Sequence, residues 1–164
     1  MTEERIYMND GWLFTEEFTP SLSEADYDTS SLKEVRIPHT VKETPFHYFD
    51  ESIYQMESGY RRVLFAPKEW EDKRVLLTFD GVAHSAYVYL NGELIGEHHN
   101  GYTAFTVELT PLLKYGEDNT LVVCVDSRES QNIPPFGYVI DYMTYGGIYR
   151  DVYLEVSEPV YIRS

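Results

Sequence analysis

The sequence predicts an all-β domain, a β-sandwich or jelly roll, and three observations carry that prediction. Short runs rich in Val, Ile, Thr and aromatic residues alternate apolar with polar positions. They recur about every ten to fifteen residues with turn residues between them, the spacing of a sandwich. No amphipathic helical pattern separates them, which argues against a parallel α/β sheet. Aromatics make up 15% of the chain, fifteen of them tyrosines, as suits pleated, half-buried surfaces.

Taken in order, residues 1–58 are irregular. "NDGWLF" reads as a turn entering a short apolar strand, "TPSLSEADYDTSS" as polar loop, and "KEVRIPHTVKETPFHYFDES" as extended chain broken by Pro38 and Pro45. From Gly59 the pattern becomes regular. "GYRRVLFAP" and "RVLLTFDGV" are strands, and "SAYVYLNGELIGEH" is a hairpin, because Asn-Gly between alternating runs supplies a tight turn with positive φ. "FTVELT" puts Phe105, Val107 and Leu109 on one face, "TPLLKYGEDN" is a short helical turn and loop, and "NTLVVCVDS" and "GIYRDVYLEV" close the set. In the last run Arg150 shares a face with Ile148, Val152 and Leu154. The reading is that Arg150 points inward and is met by Asp80, Asp50 or Asp141, with Gly146 and Gly147 admitting close backbone approach.

At 164 residues the chain suits a single domain, 1–164, with a real core. The formal net charge is -15, so nucleic acid and anionic membrane surfaces are not its partners. Cys124 is the only cysteine, which excludes an intrachain disulfide and a Cys-based zinc site, and its strand setting suits a buried thiol. The N-terminus is acidic and lacks an apolar stretch, no N-x-S/T sequon occurs, and no apolar run reaches membrane-spanning length. A cytoplasmic location is expected. "SEPVYIRS" stops abruptly after a strand and reads as a domain cut from a longer chain.

Metal and nucleophile chemistry find little support. His98 and His99 are neighbours on a strand and so point to opposite faces, while His47 with Asp50 and Glu51 lacks metal-ligand spacing. No "GxSxG" elbow accompanies any serine, and 28 acidic residues give no reason to select one carboxylate pair. The aromatic and acidic segments "FHYFDE", "HHNGYTAF" and "FGYVIDYMTY" are more informative. Flat rings with neighbouring carboxylates suit sugars, and equally suit aromatic plugs at the sandwich ends.

"GYRRVLFAP", "LTFDGVAHSAYVYLNGELIGEHHNGYTAFTVELT", "GEDNTLVVCVD" and "YGGIYRDVYLEV", in that order from about Trp12 through Val156, resemble the N-terminal sugar-binding domain of glycoside hydrolase family 2. "IPHT", "HYFDE" and "YRR" are most similar to the β-galactosidase branch. The resemblance implies a galactose-binding-type jelly roll ahead of an immunoglobulin-like domain and a barrel, in a parent enzyme that is compatible with a homo-oligomer. Its two catalytic glutamates belong to the barrel. A barrel alone needs about 250 residues, so this chain carries no catalytic residue and is expected to be inactive in isolation. No cofactor and no metal are called for.

The resemblance also implies that the first domain lends side chains to the barrel's active site. The family's substrate-contacting aspartate, ten residues before the aspartate of "RDV", falls on Asp141. A second family contact, an asparagine before the "YRR" strand, is absent here, and His47 or Asp50 are the nearest polar candidates. The competing reading is a stand-alone, lectin-like carbohydrate-binding module.

Overall fold

The structure is a computed structural model that describes residues 4–39, 57–100, 103–126 and 147–158. Two antiparallel sheets face each other. In chain order the strands are β1 (Glu4–Tyr7), β2 (Trp12–Thr15), β3 (Lys33–Val35), β4 (Glu57–Ala66), β5 (Arg74–Phe79), β6 (Val82–Ala83), β7 (Ser85–Leu90), β8 (Glu93–His98), β9 (Phe105–Glu108), β10 (Glu117–Asp126), β11 (Gly147–Ile148) and β12 (Val152–Ser157). One sheet runs β1-β12-β5-β9 and the other β3-β2-β4-β10-β7-β8, with β11-β6 as a small third pairing. Helical structure among the described residues is confined to short 3-10 turns, including Pro20–Ser23, Lys68–Trp70 and Thr110–Leu112. None of it is long and apolar enough to cross a membrane.

The period-2 pattern explains the core. Leu121, Val123 and Val125 of β10 face Ala86, Val88 and Leu90 of β7, and all are sequestered against Val75, Leu77 and Phe79 of β5 and Leu154 of β12. Phe105, Val107 and Leu109 do share the inward face, with Leu109 fully buried. Cys124 is buried, on the opposite side of β10 from the core row.

The predicted hairpin is present, with φ of 52° at Asn91 and 87° at Gly92. Asn91 does more than turn the chain. Its Oδ1 accepts from the Thr120 N–H at 2.9 Å, and its Nδ2 donates to Asn119 Oδ1 at 2.8 Å. Buried Asn119 in turn donates to the carbonyls of Leu64, Lys114 and Glu117, and its Oδ1 accepts from the Lys114 N–H. A buried amide must find such partners, and here they pin the hairpin to β10 and the preceding loop.

One element differs from expectation. The run Gly147–Val156 is not continuous: β11 pairs with β6 and β12 with β5, so the chain changes sheets at Tyr149–Asp151. The Asn9 side chain holds that break, donating to Asp151 Oδ1 at 3.1 Å and accepting from the Val152 N–H at 3.0 Å. The strand alternation is therefore lost at Arg150, which is exposed, with its guanidinium 5.7 Å from the Tyr149 ring centroid. The inward reading of Arg150 is overturned, and Asp80 is not its ion-pair partner.

Among the described residues the buried arginine is Arg61, which the sequence does not single out. On the outer face of β4 it is 5% exposed. Its guanidinium donates to the carbonyls of Leu22 (3.1 Å), Glu24 (3.1 Å) and Ala25 (3.3 Å), tying down the turn that crosses this face. Strand β1 was also unforeseen. Its partner β12 lies at the far end of the sequence, so no local pattern announces it.

Candidate functional site

Strand register brings several strand ends to one end of the sandwich. Glu57 opens β4 directly opposite Asp126, which closes β10, and Asp126 also faces Ser85 at the start of β7. On the other side of β7, Ala86 pairs with His98 at the end of β8. The His84 N–H donates to the Asp126 carbonyl at 3.1 Å, and the His39 N–H donates to the Ile148 carbonyl at 2.8 Å. The segment 40–56 starts after His39 and ends before Glu57, and 127–146 starts after Asp126 and ends before Gly147. Their roots are thus hydrogen-bonded or directly paired with one another. His47, Asp50 and Asp141 belong to these two segments and lie outside the described residues. Asp151, ten positions beyond Asp141, is described, and its carboxylate is engaged by Asn9.

The rim between these roots is built from histidines and aromatic rings. His39 Nδ1 and the Tyr60 hydroxyl lie 2.7 Å apart, with Phe14 packed 4.7 Å from the imidazole and 5.0 Å from the phenol. Burial pushes the Tyr60 phenol well above its usual range, partly offset by a backbone hydrogen bond with Ile148. Burial, and then the Lys33 charge, pull His39 below the ordinary histidine value. A cavity of about 440 Å³ opens beside this pair, lined by His39, Phe14, Lys33, Glu16 and Glu17 among others.

Across the rim, His98 stacks on Phe105 at 4.5 Å and its Nε2 lies 2.9 Å from Thr103 Oγ1. Phe105 stacks on Phe79 of the core at 5.0 Å, so this ring does act as an end plug. His99 engages Ser85 Oγ through Nδ1 at 3.1 Å and Glu97 Oε1 through Nε2 at 3.2 Å, beside Tyr87. The two adjacent histidines take different partners: His98 closes β8, and His99 lies just beyond the strand end. Burial, and then the charges of Asp126 and Glu97, raise the Tyr87 phenol. Among the described residues no group of three or more His, Cys, Asp or Glu side chains is arranged to hold a metal. The rim therefore offers hydrogen-bond donors, acceptors and ring faces, the chemistry that grips polyhydroxylated ligands.

Two facing antiparallel sheets, with helical structure among the described residues limited to 3-10 turns, define the class of antiparallel β-sandwich domains. Residues 15–158 match the family described as glycosyl hydrolases family 2, sugar binding domain, and the chain belongs to that family. It is 40% identical, over 99% of its own length, to a β-galactosidase of Thermoanaerobacter pseudethanolicus, of which it covers 22%. It is 41% identical over 97% of its length to a β-galactosidase of Thermoanaerobacterium thermosulfurigenes, again covering 22% of that protein. Among solved structures, β-glucuronidase 2 of Bacteroides uniformis, covalently bound to cyclophellitol-6-carboxylate aziridine, superposes with a TM-score of 0.86 at 34% identity. That match covers 96% of this chain and 18% of the other. The chain thus spans about a fifth of the length of these relatives.

Proposed function

We propose that the chain is the N-terminal sugar-binding domain, 1–164, of a cytoplasmic β-galactosidase of family 2, and that it completes a substrate pocket whose catalytic groups lie in a barrel beyond it. The observation that carries the specificity is the 40% and 41% identity to two β-galactosidases across nearly the whole chain. Supporting the pocket is the pairing of Glu57 with Asp126 and of His39 with Ile148, which roots both candidate segments at one end. Asp141 is the substrate-contacting carboxylate of this proposal, with His47 or Asp50 as the second contact. Its partners are a β-galactoside and the immunoglobulin-like and barrel domains of the parent chain.

A carboxylate accepting two hydroxyl hydrogen bonds contributes about 1.5–3 kcal/mol through each. If those bonds tighten as the ring approaches its oxocarbenium-like state, the loss on removal falls on kcat as well as KM. Asp141→Ala in the full-length enzyme should cut kcat/KM for a nitrophenyl β-galactoside by roughly 10- to 10³-fold, at about tenfold per 1.4 kcal/mol. The melting temperature of the isolated domain should barely change. Wild-type kcat/KM in the variant would remove Asp141 from the pocket.

A second reading, a β-glucuronidase, is favoured by the 34% identity and TM-score of 0.86 to the Bacteroides uniformis enzyme. Assay of the full-length wild type on paired galactoside and glucuronide substrates decides between them.

A further inference from the structure

A second cleft, of about 440 Å³, lies on the outer face of the six-stranded sheet toward the β7–β8 turn. Thr120, on its floor, is six residues along β10 from Asp126, or about 20 Å at strand rise, so the cleft stands well apart from the segment roots. Tyr89 forms the rest of the floor. One wall is the stretch Pro20, Ser21, Ser23, Glu24 and Ala25, and the other is Asn91, Gly92 and Lys114.

Both walls are fixed before any ligand arrives. Arg61 clamps the first by donating to the carbonyls of Leu22, Glu24 and Ala25. Asn91 and Asn119 lock the second through Thr120, Leu112 and Lys114. Burying a guanidinium to hold three carbonyls is a costly way to stabilise a turn, since an apolar side chain of similar volume often serves as well. It is a direct way to fix the position of that turn. Preorganised walls cut the ordering cost of binding.

The lining has a definite chemistry. Glu24 offers a carboxylate and Lys114 an ammonium group, and among the described residues neither is taken up in an ion pair. Ser21 and Ser23 add hydroxyls whose existing bonds, to Thr19 and to the Pro20 carbonyl, leave acceptor capacity. Tyr89 adds a ring, steadied by stacking on Phe18 at 5.9 Å. Donors and acceptors of both charge types around one ring suit a neutral molecule dense in hydroxyls. The Glu24 carboxylate and the net charge of -15 oppose an anionic one. The volume falls within the roughly 300–1,000 Å³ of small-molecule pockets.

We propose that this cleft is a second carbohydrate site, binding one neutral pyranose of a glycan separately from any pocket made by the rim segments. It does not depend on the role of Asp141. The test is titration of the isotope-labelled 164-residue chain with methyl β-galactopyranoside, followed by backbone amide shifts, with glucuronate as the anionic control. For a ligand of about a dozen heavy atoms in an open cleft, a Kd on the order of 1–10 mM is expected. Shifts should concentrate at Ser21, Ser23–Ala25, Asn91–Gly92 and Thr120, and Glu24→Gln with Lys114→Ala should weaken binding at least about fivefold, the loss of one modest hydrogen bond. Those side chains reach solvent, so the double variant keeps the fold, checked by an unchanged spectrum elsewhere. Absence of shifts at these residues, equal binding by the double variant, or tighter binding of glucuronate would each overturn the proposal.

Discussion

Arg61 and Arg150 carry the same guanidinium into opposite environments. Arg61 is buried and answered by three carbonyls, whereas Arg150 sits exposed at a break between two strands. Replacing each by Met separates the two. Arg61→Met leaves carbonyls without donors under a covering turn, and an unsatisfied buried polar group costs about 1–3 kcal/mol. Urea denaturation should therefore show a loss of about 2–4 kcal/mol, tempered by whatever water reaches the carbonyls. Arg150→Met should change stability by about 0.5 kcal/mol or less, as surface positions do. Equal effects would mean that burial does not distinguish them. The sequence could not tell these arginines apart, because alternation assigns a face only while the strand continues. At Arg150 it stops, through an Asn9 side chain some 140 positions away. At Arg61 the outer face is covered by a loop, so the outward side of the alternation is not the solvent side.

At the scale of elements, the Asn91-Gly92 turn, the β9 row and the strand character of β4, β5, β7, β8 and β10 were legible, because each is written in local periodicity and turn chemistry. What was not legible depends on distant pairing: β1 on β12, the switch between β11 and β12, and the loop 16–32 lying over β4. The candidate residues Asp141, Asp50 and His47 came from a resemblance and lie in segments outside the described residues. Their roots could be located, since register fixes where strands end. The covering loop makes its own prediction. A Cβ at Gly59 would meet Leu22 Cδ2 at 2.5 Å and Thr15 Cγ2 at 3.2 Å, closer than packed carbons lie. Gly59→Val should force Leu22 and Phe18 off the sheet and cost about 1–3 kcal/mol, as overpacking does. The readout specific to this loop is limited proteolysis, which should nick the variant within residues 16–32 well before the wild type. An unchanged cleavage pattern would mean that the loop is not held by this contact.

At the scale of the whole molecule, the net charge of -15 is the dominant electrostatic fact. Attractive pairs among the described residues include Arg5–Glu155, Arg62–Asp10, Lys73–Glu158 and Arg74–Glu108, each with at least one well-exposed partner and N···O distances of 3.5–3.9 Å. Pairs of that kind contribute about 0–1 kcal/mol each, so screening them costs little. Self-repulsion among excess carboxylates opposes the compact state more than the expanded one, and screening it should stabilise the fold. Between about 0.01 M and 0.15 M salt the Debye length falls from about 30 Å to 8 Å, short enough to uncouple charges on opposite faces. The measurement belongs at pH 8, for a reason that His39 supplies. Its folded-state pKa is depressed by burial, so the unfolded chain binds the proton more readily. Stability from the neutral imidazole is complete above the unfolded value of about 6.5 and is lost as pH falls below it. At pH 8 that proton is absent from both states, so the salt response reports the balance between carboxylate repulsion and the screening of the surface ion pairs, free of His39 titration. A gain of about 1 kcal/mol, or roughly 2–4 °C in Tm for a chain of this size, is expected over that range. A fall in Tm with salt would show that specific ion pairs, not net repulsion, govern the charge balance of the sandwich.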